Sequence, residues 1–586
     1  MTGVPPYAHG VRENGVVFDG KRATIARRFR DAGYDTAAFV GAYVLNRRFG
    51  LDDGFEVYND DVRRDVSRAE QLEAERPAGE VVDAALAWLK GASGAFFLWV
   101  HVYDPHAPYA PPAEFLTKAH GHAYDGEVAY ADSHLGRLLD ALSARAGETL
   151  VAVTGDHGES LGEHGEQTHG MLAYDSTLRV PMILAGRGIG AGVRDATPRS
   201  LVDLGARLLA ASGLQPAQTS SDVYAESRYP RRAGWHPLSV LADEQWKLIT
   251  SSELELYDMR ADTSETTNVA DTHQNIVQAM QAQLVKLRAA AVTDAKAAPE
   301  AAERLRALGY VSGSSAITTD DPKAPNPARL IAAWTQFENA LGELQSHRAP
   351  AALAALRALA TAHPNAPVFQ STYAQALRET GRAREAVAVY KAAVAKWTSD
   401  PALFHDLAVA ARDAGDVAEA ARAEQAALAL DGSSPMALNG LGLLHADAGR
   451  HAEAAAAFEK ATQGDPTNPS YWTNLANARR GLNDGQRAEA AYRQALEIDA
   501  DYPDALNGLG TMYVQARRSA DAILLFQRAL QRDPQLHEAR LNLGIAYQEI
   551  GEREKAAAAY RDLLAKAPPS LVRERQAATE LLRQLR

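Results

Sequence analysis

Asp156 and His157 stand side by side just after a short apolar run, Leu150–Val153, in the stretch TLVAVTGDHGESLGEHGEQTHGMLAYDSTLRVP that runs from Thr149 to Pro181. A carboxylate beside an imidazole suits a divalent cation that accepts both oxygen and nitrogen donors. Glu159, Glu163, His164, Glu166 and His169 crowd the positions that follow. A lone Asp-His pair would read as a polar loop over a strand end, but acids and imidazoles at this density read as a site. The apolar run reads as a buried parallel strand. In open α/β sheets, ligands collect at the carboxyl ends of such strands. A second candidate, His106, follows another apolar run: Ala95–Val102 reads as a buried strand that ends in YDPHAPY (103–109). The prolines stiffen that loop and the presentation of His106. An imidazole with a pKa of about 6.5 can donate to an anionic oxygen or act as general acid toward a leaving alkoxide. His101 reads equally well as packing under the strand end.

The elements that must position these residues are legible as patterns. Thr24 to Ala32 reads as a helix closed by Gly33, and Tyr34 to Ala42 as a small apolar strand. Tyr124 to Leu142 has helical periodicity, with Val128, Leu135, Leu138, Leu139 and Leu142 as its apolar stripe. Arg179–Ala185 is the next strand. Arg199 to Ala211 is a helix ending at Gly213, with Asp203 as a cap or a fold-linking residue. Val223–Ser227 and Trp246–Ile249 read as strands of a smaller C-terminal subdomain.

Taken together, GDHGESLGEHGE…THG…Y…RVP closely resembles the metal-binding segment of the sulfatase family, within the alkaline-phosphatase superfamily. Earlier passages follow the same family: HGVRENG at 9–15, Gly33-Tyr34, Phe49-Gly50-Leu51-Asp52, Gly54-Phe55, DPHAPY at 104–109 and YDGEVAY at 124–130. Glu255-Leu-Tyr-Asp258 with Asp262, Glu265 and Asn268, and then Leu308–Val311, resemble its ending. The resemblance covers about residues 1–311 and implies an α/β sandwich of the alkaline-phosphatase/sulfatase type. It implies Asp156 and His157 as late ligands of a divalent cation, Ca²⁺ or Mg²⁺. It implies His106 and His169 as catalytic residues that contact the ester oxygens. Asn14 matches an Asn that contacts substrate in related phosphonate and sulfate esterases. Glu13-Asn14-Gly15 is equally ordinary turn chemistry, and both readings stand.

Departures from the family pattern shape the functional expectation. In the family, an acidic metal-ligand pair and a Cys- or Ser-x-Pro-x-Arg nucleophile motif precede the passage that opens this sequence. Here Met1 falls after both, and the sequence has no Cys and no Ser-x-Pro-x-Arg. Ca²⁺ wants six to eight oxygen ligands and Mg²⁺ a near-octahedral set, so Asp156 and His157 alone are expected to hold a cation weakly. Loss of a nucleophile removes most of a catalytic rate. The expectation is a sulfuric-ester hydrolase domain with little or no turnover as written, through a misplaced start or an incomplete gene. Many arylsulfatases carry GKWHLG where this chain has Val40–Leu45. That absence keeps open a phosphodiester or phosphonate hydrolase of the same superfamily. A further alternative, of a different class, is a protein-binding scaffold with a dead catalytic domain.

The 586 residues read as several domains. Lys+Arg 61 against Asp+Glu 74 gives a net charge of -13, which argues against a nucleic-acid partner. No apolar run is long enough to span a bilayer, and no signal pattern stands at the start. Exported or periplasmic placement is the expectation if a signal lies upstream. Residues 312–327 are rich in Ser, Gly, Pro and Asp and read as a linker.

Residues 328–586 then show self-similarity at a period of about 34, the tetratricopeptide length. Ala386, Ala420, Ala454, Ala488, Ala522 and Ala556 stand in phase, as do Tyr390, Glu424, Phe458, Tyr492, Phe526 and Tyr560. Ala lets antiparallel helices approach, and the aromatic fills the gap against the next unit. Pro367, Pro401, Pro435, Pro469 and Pro503 open units, where the first helical turn tolerates Pro. Gly381, Gly415, Gly449 and Gly551 mark the inter-helix turns, with Asn483 and Arg517 in their place in two units. This reads as an all-α tetratricopeptide (TPR) solenoid: a degenerate first unit at about 328–366, about six full repeats over 367–570, and a polar capping helix over 571–586. One hairpin cannot bury its apolar face alone, so the units must stack. A peptide or protein partner is expected on the concave face, along Asn439, Asn474, Asn507 and Asn542; bonds between neighbouring helices are the other use for these Asn side chains. His405, His445, His451 and His537 read as surface residues.

Overall fold

The structure is a computed structural model that describes residues 1–62, 75–143, 148–216, 223–289, 321–346, 348–569 and 571–585. The chain divides into two compact units, Met1–Thr380 and Gly381–Arg586. Leu308–Val311 and most of the 312–327 segment lie outside the described residues.

After a single helical turn at Pro6–His9, the first unit continues with helix α1 (Ile25–Asp31), whose N-cap Thr24 accepts the Arg27 N–H, followed by Gly33 at φ +84°. Strand β1 (Asp35–Val40) pairs in parallel with β2 (Val57–Asn59) and β3 (Phe96–His101), in the order β2-β1-β3. Phe29 of α1 stacks on Phe97 at 4.7 Å. On the sheet, α2 (Ala78–Leu89) places Val81 and Ala85 against Ala37 and Phe39. Asp104, just past β3, accepts the Ala78 N–H at 2.9 and 3.0 Å and so caps α2 from the site side. Helix α3 (Ala123–Leu142) buries Leu138 and Leu142 against Val82 and Leu89. The expected stripe is narrower than its sequence suggests, because Val128 and Leu139 are exposed.

Strand β4 (Leu150–Thr154) corrects one expectation. It pairs antiparallel with β5 (Met182–Gly186), and its residues are half-buried or exposed rather than buried in a parallel sheet. A four-residue apolar run carries no information on strand direction, because the partner lies elsewhere in the chain. Helix α4 (Val202–Ala211) follows, with Gly213 at φ +74°.

A four-stranded antiparallel sheet, β6 (Val223–Ser227), β7 (Leu238–Ala242), β8 (Trp246–Thr250) and β9 (Leu254–Asp258), comes next, and then helix α5 (Gln274–Ala289). The acidic ending has structural tasks. Asn268 accepts from Leu256 N and Ala270 N, and Asp262 accepts from Thr266 N and Thr267 N. Glu265 meets the buried Lys247 ammonium at 2.7 Å and accepts the Asp175 N–H at 2.6 Å.

Helices α6 (Ile331–Gln345), α7 (Ala349–Ala362) and α8 (Pro367–Glu379) complete this unit. Trp334, Phe337, Leu356 and Phe369 share one buried core with Met171–Tyr174 and with Trp235 and Val240.

In the second unit, described helices alternate from Ala383–Lys396 to Val572–Gln584 with no strand among them. The six phased alanines are all buried, as are the six residues at the aromatic position. Small residues face those rings: a Cβ on Gly508 would lie 2.3 Å from Tyr492, and one on Gly442 2.5 Å from Phe458. Gly381, Gly415, Gly449 and Gly551 all have positive φ, and Asn483 and Arg517 both take φ +60° in their stead. Two histidines expected on the surface are not free surface residues. His405 Nδ1 bonds the buried Glu424 at 3.0 Å, and His451 packs against Gly481. Among the described residues no helix is long and apolar enough to cross a membrane.

Candidate active site

The site lies where β3 and β4 end. His101, the last residue of β3, pairs in register with Val40 at the end of β1. The chain then turns through Tyr103, which stacks on His106 at 4.3 Å. His106 Nδ1 lies 2.7 Å from the Ala107 carbonyl. A carbonyl only accepts, so Nδ1 carries the proton and Nε2 on the opposite side carries the lone pair.

Past β4, Gly155 leads into Asp156 and His157. His157 Nδ1 lies 2.9 Å from the Gly158 carbonyl, which fixes the same tautomer. Gly158 is there because a Cβ would meet the Ser176 carbonyl at 2.4 Å. Asp156 accepts the His157 N–H at 3.0 Å, and His157 Nε2 stands 3.9 Å from its carboxylate.

His169 arrives from the far end of the same loop. Its ring centroid is 4.0 Å from that of His157 and 5.0 Å from that of His106. Glu159, almost fully covered, sits 3.2 Å from His169 Nδ1 and orients the ring. The structure therefore brings together Asp156, His157, His106 and His169. Asn14 lies exposed in the turn before Gly15, which has φ +84°, and no bond or ring contact joins it to those four among the described residues.

The electrostatics follow from this crowding. Burial, and then repulsion from His169, lowers His106 to about 3, so it is neutral near pH 7. Burial also lowers His101, whose Nδ1 has no partner. Burial alone would raise Asp156. The charges of His157 and His101, with the His157 amide, outweigh it and hold the carboxyl below its ordinary value. The Asp156 side chain is 77% accessible.

The other acids of the stretch build the loop. Glu163 accepts the Leu161 N–H, and His164, at φ +52°, stacks on Tyr174 at 3.6 Å. Glu166, 2% exposed, accepts the Met171 and Leu172 N–H groups at 2.7 and 3.1 Å. Glu159 and Tyr103 hold the site imidazoles in place, roles no local pattern in the sequence assigns them.

Mixed α/β architecture with imidazoles and a carboxylate at strand ends, followed by a helical repeat array, defines an α/β domain with a polar site, joined to a solenoid. Residues 1–214 match the sulfatase family. Residues 337–401, 405–469, 473–537 and 513–579 match tetratricopeptide repeats. The chain thus carries a sulfatase domain followed by TPR repeats.

The choline-sulfatase of Rhizobium meliloti (strain 1021) is 30% identical over 169 residues, 25% of this chain and 33% of that protein. The iduronate 2-sulfatase of Homo sapiens is 35% identical over 145 residues, 24% of this chain and 26% of that protein. An uncharacterised sulfatase of Escherichia coli (strain K12) is 24% identical over 359 residues, 46% of this chain and 72% of that protein. The chain thus spans about a third or less of the first two relatives and most of the third.

Sulfatase-family domains generally use a divalent cation. Asp156 and His157 fit one in chemistry. Asp156 is ionised and open to solvent, and His157 has the tautomer of a metal-ligating imidazole whose other nitrogen donates to a backbone carbonyl. They supply only part of a coordination shell: among the described residues no group of three or more His, Asp or Glu side chains is placed to hold an ion.

Proposed function

We propose that the first unit is the ester-binding part of a metal-dependent sulfuric-ester hydrolase. The clustering of His106, His157 and His169, with Asp156 beside His157, carries this reading. Asp156 and His157 would hold the cation, which when bound polarises the ester oxygens. His106 and His169 would face those oxygens. His106 enters neutral, and an anion beside it restores the charge that burial removes, so ester binding draws a proton onto Nε2. That proton is then in place for the leaving oxygen. Glu159 holds the His169 ring throughout.

In this reading Asp156, His157, His106 and His169 bind and orient the ester. The expected outcome is calcium-dependent binding of an aryl sulfate. Imidazole resonances report the binding, and Asp156→Asn and His106→Ala should each weaken it at least tenfold. Binding untouched by both substitutions, or by removal of calcium, would refute the reading.

The solenoid is proposed to bind an extended peptide. Asn474 donates to Asn439 and Asn542 to Asn507, each at 2.9 Å, so all four amides bond between neighbouring helices, and a peptide would meet the donors and acceptors these bonds leave over. These paired amides run beside a polar cavity of about 180 Å³ lined by Asn474, Asn477, Tyr502 and Asn507. Selection of peptides on the full chain, repeated with Asn474→Ala/Asn507→Ala, tests this; identical peptide sets from both proteins would remove it.

A further inference from the structure

The loop that carries His169 has little regular structure of its own. Between β4 and β5 it contains one 3-10 turn at Glu163–Gly165 and a short helix at Asp175–Leu178. Backbone bonds fold its first half back, among them Ser160 N to Thr168 O at 2.8 Å and Gly162 N to Glu166 O at 2.9 Å. Its second half is held to the antiparallel sheet, where the Ser227 hydroxyl donates to Gly170 O and the Tyr174 hydroxyl to Glu255, while the stretch around Thr168 meets α6, the helix that the sequence reads as the start of the repeats. The Thr168 hydroxyl donates to Glu338 Oε1 at 2.9 Å. The Thr335 hydroxyl lies 3.3 Å from the Gly165 carbonyl. Ile331 Cγ2 sits 3.1 Å from where a Cβ on Gly165 would be, so the helix and the turn are in direct contact. Beneath these bonds, Trp334 and Phe337 share a buried core with Met171–Tyr174.

We propose that Glu338 is a positioning residue for His169, acting through Thr168, so that α6 forms a working wall of the ester site. Thr168 precedes His169 in the chain, and its carbonyl accepts the Ser160 N–H. Pinning the Thr168 hydroxyl therefore fixes the backbone from which the His169 ring projects. Glu159 fixes the ring itself from the other side, and the two acids make separate contacts with adjacent residues. His169 is close enough to both carboxylates for its charge to act on Glu338. The consequence reaches beyond the sulfatase reading. A helix some 170 positions downstream, on the far side of the linker in sequence, sets the geometry of the active-site loop. The role assigned to His169 at the ester rests on the proposed function; the clamp on the loop does not.

The test uses the full chain with Glu338→Gln, Glu338→Ala, Thr168→Val and the double variant Glu338→Ala/Thr168→Val. Hydrogen exchange is read at amides 159–174, together with aryl-sulfate affinity in calcium. Glu338→Ala and Thr168→Val should each speed loop exchange about tenfold or more, as loss of a bond to a carboxylate implies. Glu338→Gln keeps an accepting oxygen and should stay within about twofold of the parent. The double variant should exchange no faster than either single one, since both remove the same bond. Thr168→Val is nearly isosteric and decides the matter if Glu338→Ala disturbs the whole core. Unchanged loop exchange in Thr168→Val, or fully additive effects, would overturn the proposal. Failure of the parent to bind ester would count against the proposed function alone, because loop exchange needs no ligand.

Discussion

Glu166→Gln should change the stability of the first unit with opposite sign at two pH values. Glu166 is 2% exposed, its Oε1 accepts two backbone N–H groups, and its Oε2 is buried without a partner. Burial raises its carboxyl from 4.5 to about 7, against the pull of those two amides and of His169. The native state thus holds the proton more tightly than the unfolded chain. The contribution is fully present below about pH 4.5 and is lost as pH rises through about 7. At about 1.4 kcal/mol per pKa unit, the charged form costs roughly 3 kcal/mol above pH 8. Gln keeps an acceptor for Met171 N and Leu172 N and carries no charge, but it places an NH₂ group where Oε2 has no partner, at about 1 kcal/mol or more. The variant should therefore be about 1–2 kcal/mol more stable than the parent at pH 8 and about 1 kcal/mol less stable at pH 4, below the unfolded-state value, with the two nearly equal around pH 5. Hydrogen exchange at the Met171 and Leu172 amides, with the parent as reference at each pH, measures the difference locally. A penalty of the same size at both pH values would refute the reasoning, because it would mean that the carboxylate stays ionised and is valued for its charge.

Three other outcomes follow from the same geometry. Sulfate binding should tighten as pH falls from 7 toward 4, because the bound anion restores the His106 proton that burial removes; calorimetry with His106→Gln should show a flatter profile. Gly508→Ala should destabilise the second unit by about 1–3 kcal/mol, since its Cβ would overlap the fully buried Tyr492 ring; urea unfolding by circular dichroism reads this. Glu424→Phe should be neutral or stabilise that unit by about 1–2 kcal/mol. It replaces a buried acid paired with His405 by the kind of side chain that other repeats carry there, and Gly440 leaves the room; a lowered melting temperature would show that the pair is worth more than its burial costs.

What the sequence disclosed and what it withheld divide along the distance between partners. The solenoid was legible because each repeat states its own rule within its period: Ala for close approach, an aromatic opposite a small residue, a left-handed turn. Arg517 shows how far the rule extends. It takes the left-handed conformation at φ +60° that glycine takes in four other units, so position in the repeat outweighed residue preference. Glu424 shows where composition misleads. It stands in the aromatic column and is as buried as the rings, and His405, read as a surface residue, is its partner across the gap.

The site was legible to the same depth. Asp156 and His157 are neighbours in the chain, and His106 and His169 are carried in motifs of their own. Their convergence required only that two strand ends lie side by side. The pairing of β4 was not legible, because an apolar run of four residues is silent on the direction of a partner some thirty positions away. Glu338 was hidden for the same reason: nothing near it in the chain resembles a site. Its bond to Thr168 exists because Trp334 and Phe337 bury against Met171–Tyr174, and the core that orders the catalytic-type loop is therefore built partly from the helix the repeat pattern claims. A boundary drawn by sequence similarity separates these residues, whereas the physical domain, defined by which apolar side chains share a core, keeps them together.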